Sequence, residues 1–370
     1  MNFLSEKRRL KILLGLGGLI VAAIVYFLIF AFDTELDKRQ DKIGFIILGD
    51  IREKGWNESH YSGIKAACEE FGLELLVRDN VPENSGQCPK AVEELAGEGA
   101  GAIFLVSFNY ASEVRSLIDK YPHISFVNTS TLEHARNLTS TFARMYQGRY
   151  LSGILAGLRT KSNVIGYVAA MNNAEVCRGI NAFALGAQSV NPNAKVLVMW
   201  TGDWQAEDVE TEHAKKLIEK YGADILTYHQ DVDTVGKVAE QYGVDFIAYN
   251  AHLEGYSEHY LASVICRWDL YYKDILQKYL KGELFSIRDN WVGIEQGVIT
   301  LSDYSDLVTQ QMRLKINSAQ KDLVSNQNLI FSGEIYDNQG KLRCGKNQVI
   351  NDKELLRSID WLVKGVEVVE

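Results

Sequence analysis

The sequence predicts an α/β protein of two similar lobes, each built on a parallel sheet covered by helices. Three observations predict it. Short apolar, β-branched runs alternate with segments of helical spacing from residue 42 onward. The alternation restarts near residue 143. Beyond an apolar N-terminal span roughly 330 of the 370 residues remain, which suits two domains of ordinary size.

The first set opens with a buried-type strand at Lys42–Leu48. A helix over Asn57–Phe71 follows, with Ile64, Ala67 and Phe71 on one face and Gly72 as its stop. Strands at Leu73–Val77, Ala102–Val106 and Ile124–Val127 alternate with helices at Pro89–Leu95 and Ser112–Tyr121. The second set starts with a helix at Ala143–Leu158. Strands at Val164–Val168, Lys195–Met199, Asp224–Thr227 and Val244–Tyr249 are separated by helices at Ala174–Ser189, Glu207–Tyr221 and Thr234–Tyr242. A long helix is expected over Tyr260–Leu280, then strand-like pieces within Val292–Ile299 and a helix at Leu307–Leu323. A hairpin at Leu329–Leu342 turns through Asp337-Asn338-Gln339-Gly340. These late elements are too few for a third domain. The expected division is therefore residues 42–142 with about 257–290 as lobe 1, and 143–256 with about 291–370 as lobe 2.

The N-terminus carries its own signal. Ile12 to Phe32 is 21 residues without a charge, about one bilayer's hydrocarbon thickness as a helix. It is longer than the apolar region of a cleaved signal peptide, and no cysteine precedes Cys68 to take a lipid. Lys7, Arg8, Arg9 and Lys11 precede the span, while Asp33, Glu35 and Asp37 follow it. The positive-inside rule then expects a single-pass signal anchor at 12–32, a tether at 33–41, and the large domain outside the cell membrane, with a signal peptide cleaved at a weak site as the alternative. Gly15, Gly17 and Gly18 do not complete a nucleotide loop and sit within the span.

Charge excludes a class of partner. Residues 1–32 hold a net +3, so the remainder bears −12 within a total of −9. Such a surface repels phosphate backbones, and no nucleic acid is expected as a partner. The five cysteines, Cys68, Cys88, Cys177, Cys266 and Cys344, show no C-x-x-C pairing and read as buried thiols, with no metal site and no cofactor.

Ligands of open α/β sheets bind beyond the carboxyl ends of the strands, which directs attention to the residues found there. In the first set these are Asp50, Trp56, Asn57, Ser107, Phe108, Asn109 and Asn128. In the second they are Trp200, Trp204 and Asn250. Aromatic rings stack on a flat heterocycle, contributing roughly 1–3 kcal/mol per base, and amides pair with its polar edge.

The chain from Lys42 to Leu342 resembles the basic membrane protein family, purine- and nucleoside-binding components of ABC importers, and most of all its Med-like branch. The resemblance rests on Gly55-Trp56-Asn57, the run Tyr150-Leu151-Ser152-Gly153-Ile154-Leu155-Ala156-Gly157, and Ile165-Gly166-Tyr167-Val168. Asn181 to Ala187, Asn191-Pro192-Asn193-Ala194 and Trp200-Thr201-Gly202-Asp203-Trp204 extend it. It implies a type I periplasmic-binding-protein fold, an interlobe ligand site, and permease and ATPase partners. It also implies stacking by Trp56 in one lobe and Trp204 in the other, with Asn57 and Asn250 on the ligand's edge. Asn250 stands where nucleoside binders carry a ribose-holding Asp, and the family's lysine is replaced near Cys266 and Arg267. Both departures favour a free base such as adenine or another purine, or a different small heterocycle.

Two rivals stand beside this reading. His252, Glu254, Glu258 and His259 could suggest a metal enzyme, but they lack H-E-x-x-H spacing, and no G-x-S-x-G elbow is present. No catalytic residue is expected. A membrane-anchored sensory or regulatory ectodomain binding a similar heterocycle is the other; Met1 to Lys11 is too short to carry a signalling domain itself.

Overall fold

The computed structural model describes residues 40–370, apart from 54, 131–132, 251–257, 285–288 and 327–328. The expected membrane span at 12–32, and His252 and Glu254, lie outside the described residues. Among the described residues no helix is long and apolar enough to cross a membrane, and no cluster of three metal-ligating side chains occurs.

Lobe 1 begins with β1 (Lys42–Ile47), α1 (Trp56–Phe71), β2 (Glu74–Arg78), α2 (Gln87–Gly97) and β3 (Ala102–Val106). Two short helices, α3 (Tyr110–Glu113) and α4 (Arg115–Lys120), lead to β4 (Ser125–Thr129) and β5 (Leu138–Ala143). The chain then enters lobe 2 through α5 (Met145–Arg159), β6 (Val164–Ala169), α6 (Ala174–Val190) and β7 (Lys195–Trp200). It continues with α7 (Glu207–Glu219), β8 (Ile225–His229), α8 (Thr234–Tyr242), β9 (Asp245–Tyr249) and β10 (Tyr260–Cys266). Helix α9 (Trp268–Lys281) and strand β11 (Asp289–Val292) return to lobe 1. The remaining elements close lobe 2: β12 (Ile299–Leu301), α10 (Gln310–Ser325), β13 (Ile335–Tyr336), β14 (Leu342–Cys344), α11 (Asp352–Arg357) and β15 (Val366–Val368).

The first sheet has the order β11-β5-β4-β3-β1-β2 and is parallel throughout. The second has the order β12-β10-β9-β8-β6-β7-β15, parallel except where β12 runs against β10. Covered strands explain the composition: β1, β3 and β4 are buried along nearly their whole length, so their side chains carry no alternation. Helix α1 stops as its sequence suggests. Gly72 takes φ +66°, and the N–H groups of Gly72 and Leu73 donate to the last carbonyls at 3.3 and 2.9 Å.

The long helix expected over 260–280 is corrected. Tyr260–Cys266 is a fully buried strand between β9 and β12 in lobe 2, and only from Trp268 does the chain become helical and pass to lobe 1. A fully buried apolar run has no period of its own, and here it abuts a true helix with the same composition. Helix α9 buries Tyr271, Tyr272, Ile275 and Leu276 against lobe 1, each aliphatic side chain contributing about 1.5–3 kcal/mol. Strand β5 was not expected at all. Its Thr139, Ser140 and Thr141 are buried, with hydroxyls on the Leu284 carbonyl (3.1 Å), the Glu133 carbonyl (3.0 Å) and the Tyr271 hydroxyl.

The small residues of the run 150–157 have a packing cause. Helices α5 and α6 lie so close that a Cβ on Gly153 would sit 2.0 Å from the Phe183 carbonyl oxygen. One on Gly186 would sit 2.1 Å from that of Tyr150. Between lobes the chain crosses three times, at 143–145, 266–268 and 292–299. The crossings are tied by Arg144 N–H donating to the Val292 carbonyl and Arg267 N–H to the Val298 carbonyl, both at 2.7 Å. All five cysteines are buried thiols, and burial raises the pKa of each.

Candidate functional site

A cleft of about 140 Å³ opens between the lobes, lined wholly by residues at or just beyond strand carboxyl ends. Lobe 1 contributes Leu48, Trp56, Glu83, Ser107, Phe108 and Ser130, which follow β1 to β4. Lobe 2 contributes Glu175, Trp204, His229, Asp231, Tyr249 and Asn250, which follow β6 to β9. This is where parallel sheets leave unoccupied backbone and helix starts.

Each wall holds an aromatic ring in a fixed place. Trp56 opens α1 and is backed by His60, with ring centroids 4.1 Å apart, and by the edge of Trp268 at 5.4 Å. His60 is fully buried and bonded through Nδ1 to the Tyr272 hydroxyl at 2.6 Å; burial holds it neutral. Across the cleft, Trp204 lies 6.0 Å from the His229 ring, which in turn lies 4.5 Å from Tyr249. The Asp231 N–H donates to the Trp204 carbonyl at 3.0 Å and so ties the Trp204 loop to the end of β8.

Arg149 supports this wall from below. Its side chain is fully buried in α5, stacks 3.6 Å from the Tyr249 ring, and donates to the Tyr228 carbonyl at 2.6 Å and Thr227 Oγ1 at 3.3 Å. Burial, then the charges of Arg149 and Arg178, push His229 well below the usual histidine range, so it meets a ligand neutral.

The cleft's charge is acidic: Glu83, Glu175 and Asp231 line it, and no Lys or Arg does so among the described residues. Burial, reinforced by Glu53 and Glu210, raises Asp231 to about 8. Burial also raises Glu175, against the pull of Arg178. The unfolded chain ionises an Asp near 4, whereas the folded chain keeps this proton until about 8. Stability is therefore lost as pH rises between those values. Asp231→Asn should melt several degrees above the parent at pH 8, with the gap closing by pH 4, in paired calorimetric scans without ligand.

The residues expected from the sequence fall in several places. Trp56, Phe108, Trp204 and Asn250 line the cleft, and Phe108 is half exposed there at 53%. Asn250 adopts φ +56°, a left-handed conformation asparagine tolerates, and its buried Oδ1 has no partner among the described residues. Asn57 is buried and turned inward. Its Oδ1 accepts from the Gly49 N–H at 3.0 Å and its amide nitrogen donates to Glu53, so it shapes the loop after β1. Asn128 does the same for β3 by donating to the Ser107 carbonyl at 2.9 Å. Asp50 faces Arg52, whose hydrogen bonds hold it down to about 2. Trp200 pairs in β7 and packs on the core. Glu83, Ser130, Glu175, His229, Asp231 and Tyr249 were not expected. The strand-end rule reaches all six when it is extended to the last residue of β8 and β9 and along the loops after β2, β4, β6 and β8.

The lobes touch beside the cleft. Gln205 donates to Glu53 at 3.1 Å, and a Cβ on Gly55 would lie 2.1 Å from the Asp231 carbonyl oxygen.

The sequence profile of PnrA-like ABC transporter substrate-binding proteins, the Bmp family, matches residues 40–339. The chain belongs to this family. A purine-binding protein of Brucella abortus is 28% identical over 331 residues, covering 88% of this chain and 93% of its own. A Haloferax volcanii protein that bears the name of an ABC transporter glucose-binding protein, TsgA13, is 28% identical, covering 87% of this chain and 79% of its own. Among solved structures, a transcriptional activator of the comK gene from Bacillus halodurans superposes with a TM-score of 0.68 at 21% identity, covering 77% of this chain and 98% of its own. An ABC transporter solute-binding protein from Conexibacter woesei gives 0.65 at 17% identity, covering 77% and 97%. At those identities the likeness is one of fold, the periplasmic-binding-protein type. The Bmp family is one of solute receptors, not of enzymes.

Proposed function

We propose that this Bmp-family chain is the membrane-tethered, extracytoplasmic receptor of an ABC importer and that its cleft closes on a purine base. One observation carries the reading: each lobe offers a braced tryptophan, Trp56 and Trp204, to one narrow cleft at the strand ends. Open lobes give a flat ligand one aromatic face; closed lobes give it two. Only that difference in affinity shifts the lobe equilibrium toward closure. The purine-binding Brucella relative supports the same ligand class. The cleft's 140 Å³, on the scale of a cavity that admits one aromatic ring, supports a base rather than a nucleoside. The tether rests on the uncharged span 12–32 and its basic flank.

Calorimetry on the full-length protein tests this reading with adenine, guanine, adenosine, guanosine and glucose. Bases should bind, and Trp56→Ala or Trp204→Ala should each cost about 1–3 kcal/mol, tenfold to a hundredfold in affinity. Unchanged binding in both variants would refute the sandwich. Binding of glucose alone would refute the purine.

A further inference from the structure

We infer that Gln230, which does not itself line the cleft, is the positioning residue that sets Trp204 in the cleft wall. The inference rests on the stacking role given to Trp204 above and adds what holds that ring ready. The loop carrying Trp204 has an awkward path. It leaves β7, whose neighbours in the sheet are β6 and β15, and passes over the end of β6 to reach the end of β8. Its first N–H groups are satisfied on the way: Thr201 donates to the Ala169 carbonyl and Gly202 to that of Ala170, both at 2.9 Å. The carbonyls that follow have no strand to pair with.

Gln230 meets them. It follows β8 directly and is 2% exposed. The orientation of its amide that satisfies every neighbour turns Nε2 to the carbonyls of Asp203 (3.0 Å) and Trp204 (3.2 Å), and Oε1 to the Thr201 hydroxyl, which donates at 2.7 Å. A side-chain amide offers two N–H donors and an acceptor in one place, so a single buried group holds three residues of the loop. The flanking residues share the task. The His229 ring lies 6.0 Å from that of Trp204, and the Asp231 N–H adds a second donor to the Trp204 carbonyl at 3.0 Å. The next residue, Gln205, reaches Glu53 of the other lobe at 3.1 Å. An apolar side chain at 230 would take a donor from both carbonyls and leave the loop to seek water, carrying Trp204 out of the wall. A ring fixed before the ligand arrives needs no ordering on binding; a displaced one does.

Gln230→Met nearly keeps the volume and removes the amide, and two readouts on the full-length protein test it. The first needs no ligand. With the six tryptophans replaced by 5-fluorotryptophan, the fluorine resonance of Trp204 is assigned through Trp204→Phe and that of Trp361 through Trp361→Phe. Gln230→Met should shift or broaden the Trp204 resonance and leave that of Trp361, which packs on Arg343, in place. An unmoved Trp204 resonance overturns the inference. The second readout is titration calorimetry with adenine. Gln230→Met should lower affinity about tenfold in the parent and less than about twofold in Trp204→Ala, where the ring it positions is gone. A loss of equal size in both backgrounds would mean that Gln230 acts on the fold and not through Trp204, and would also overturn the inference. If Gln230→Met loses its melting transition, Thr201→Val decides by the same two readouts, because it withdraws the hydroxyl that holds the amide and leaves the buried position intact. An unmoved Trp204 resonance in Thr201→Val is then the overturning result. Failure of adenine and guanine to bind the parent overturns the purine reading alone, and the fluorine resonance then settles this inference by itself.

Discussion

Replacing Gly55 by alanine is expected to hold the lobes apart and to lower ligand affinity by about tenfold to a hundredfold. The added Cβ would meet the Asp231 carbonyl oxygen at 2.1 Å, more than an ångström inside contact distance. That neighbour is backbone, fixed by the Asp231–Trp204 hydrogen bond, so it cannot swing aside as a side chain would. Overpacking of this kind costs roughly 1–3 kcal/mol, and the cost falls on the closed state alone because the contact spans the two lobes. A ligand must then supply that much more to reach the same closed population. The melting temperature without ligand should stay within a degree or two of the parent. Small-angle scattering should show the parent compacting when adenine is added and Gly55→Ala failing to do so. Normal compaction and normal affinity in the variant would show that closure leaves room at this point.

Arg149→Ala should be the most damaging single change outside the cleft, costing about 3–5 kcal/mol of stability. Removing the side chain empties a large volume from a fully buried position and leaves the Tyr228 carbonyl without its 2.6 Å donor. At about 2–4 °C per kcal/mol for chains of 150–250 residues, the melting temperature should fall by on the order of 10 °C. The change also reaches the ligand. Tyr249 loses the guanidinium stacked beneath it at 3.6 Å, and Tyr249 touches both the cleft and His229. Arg149→Lys keeps the charge but cannot reproduce a planar group lying on a ring while bonding two acceptors. It should recover part of the stability and little of the affinity. A melting scan within two degrees of the parent for Arg149→Ala would contradict this account.

The alternation of elements was legible because covered parallel strands and amphipathic helices have different periods, and the restart near 143 marks the first crossing between lobes. Two elements were not legible, for opposite reasons. Strand β10 is so uniformly apolar that nothing separates it from the helix that follows. Strand β5 is so rich in threonine and serine that it does not read as buried; its hydroxyls are satisfied by residues as distant as Leu284 and Tyr271, which no local window contains. The aromatic half of the cleft could be read from Trp56 and Trp204 in glycine-flanked loops. The acidic half could not. Glu175 and Asp231 look in sequence like surface carboxylates, and only the fold shows them lining a cleft, while Asn57 and Asp50 turn to partners close at hand.

The return of α9 and β11 to lobe 1 has a consequence for the birth of the protein. Strand β5 finds its outer neighbour, and α1 its packing partner, only in residues 268–292. A ribosome adding 5–20 residues per second needs roughly 7–30 s to travel from the end of β5 to the end of β11. Throughout that interval lobe 1 presents an unpaired strand edge and an uncovered helix face, both templates for association with other chains. Any collapse of lobe 1 before residue 292 is made therefore leaves both surfaces open.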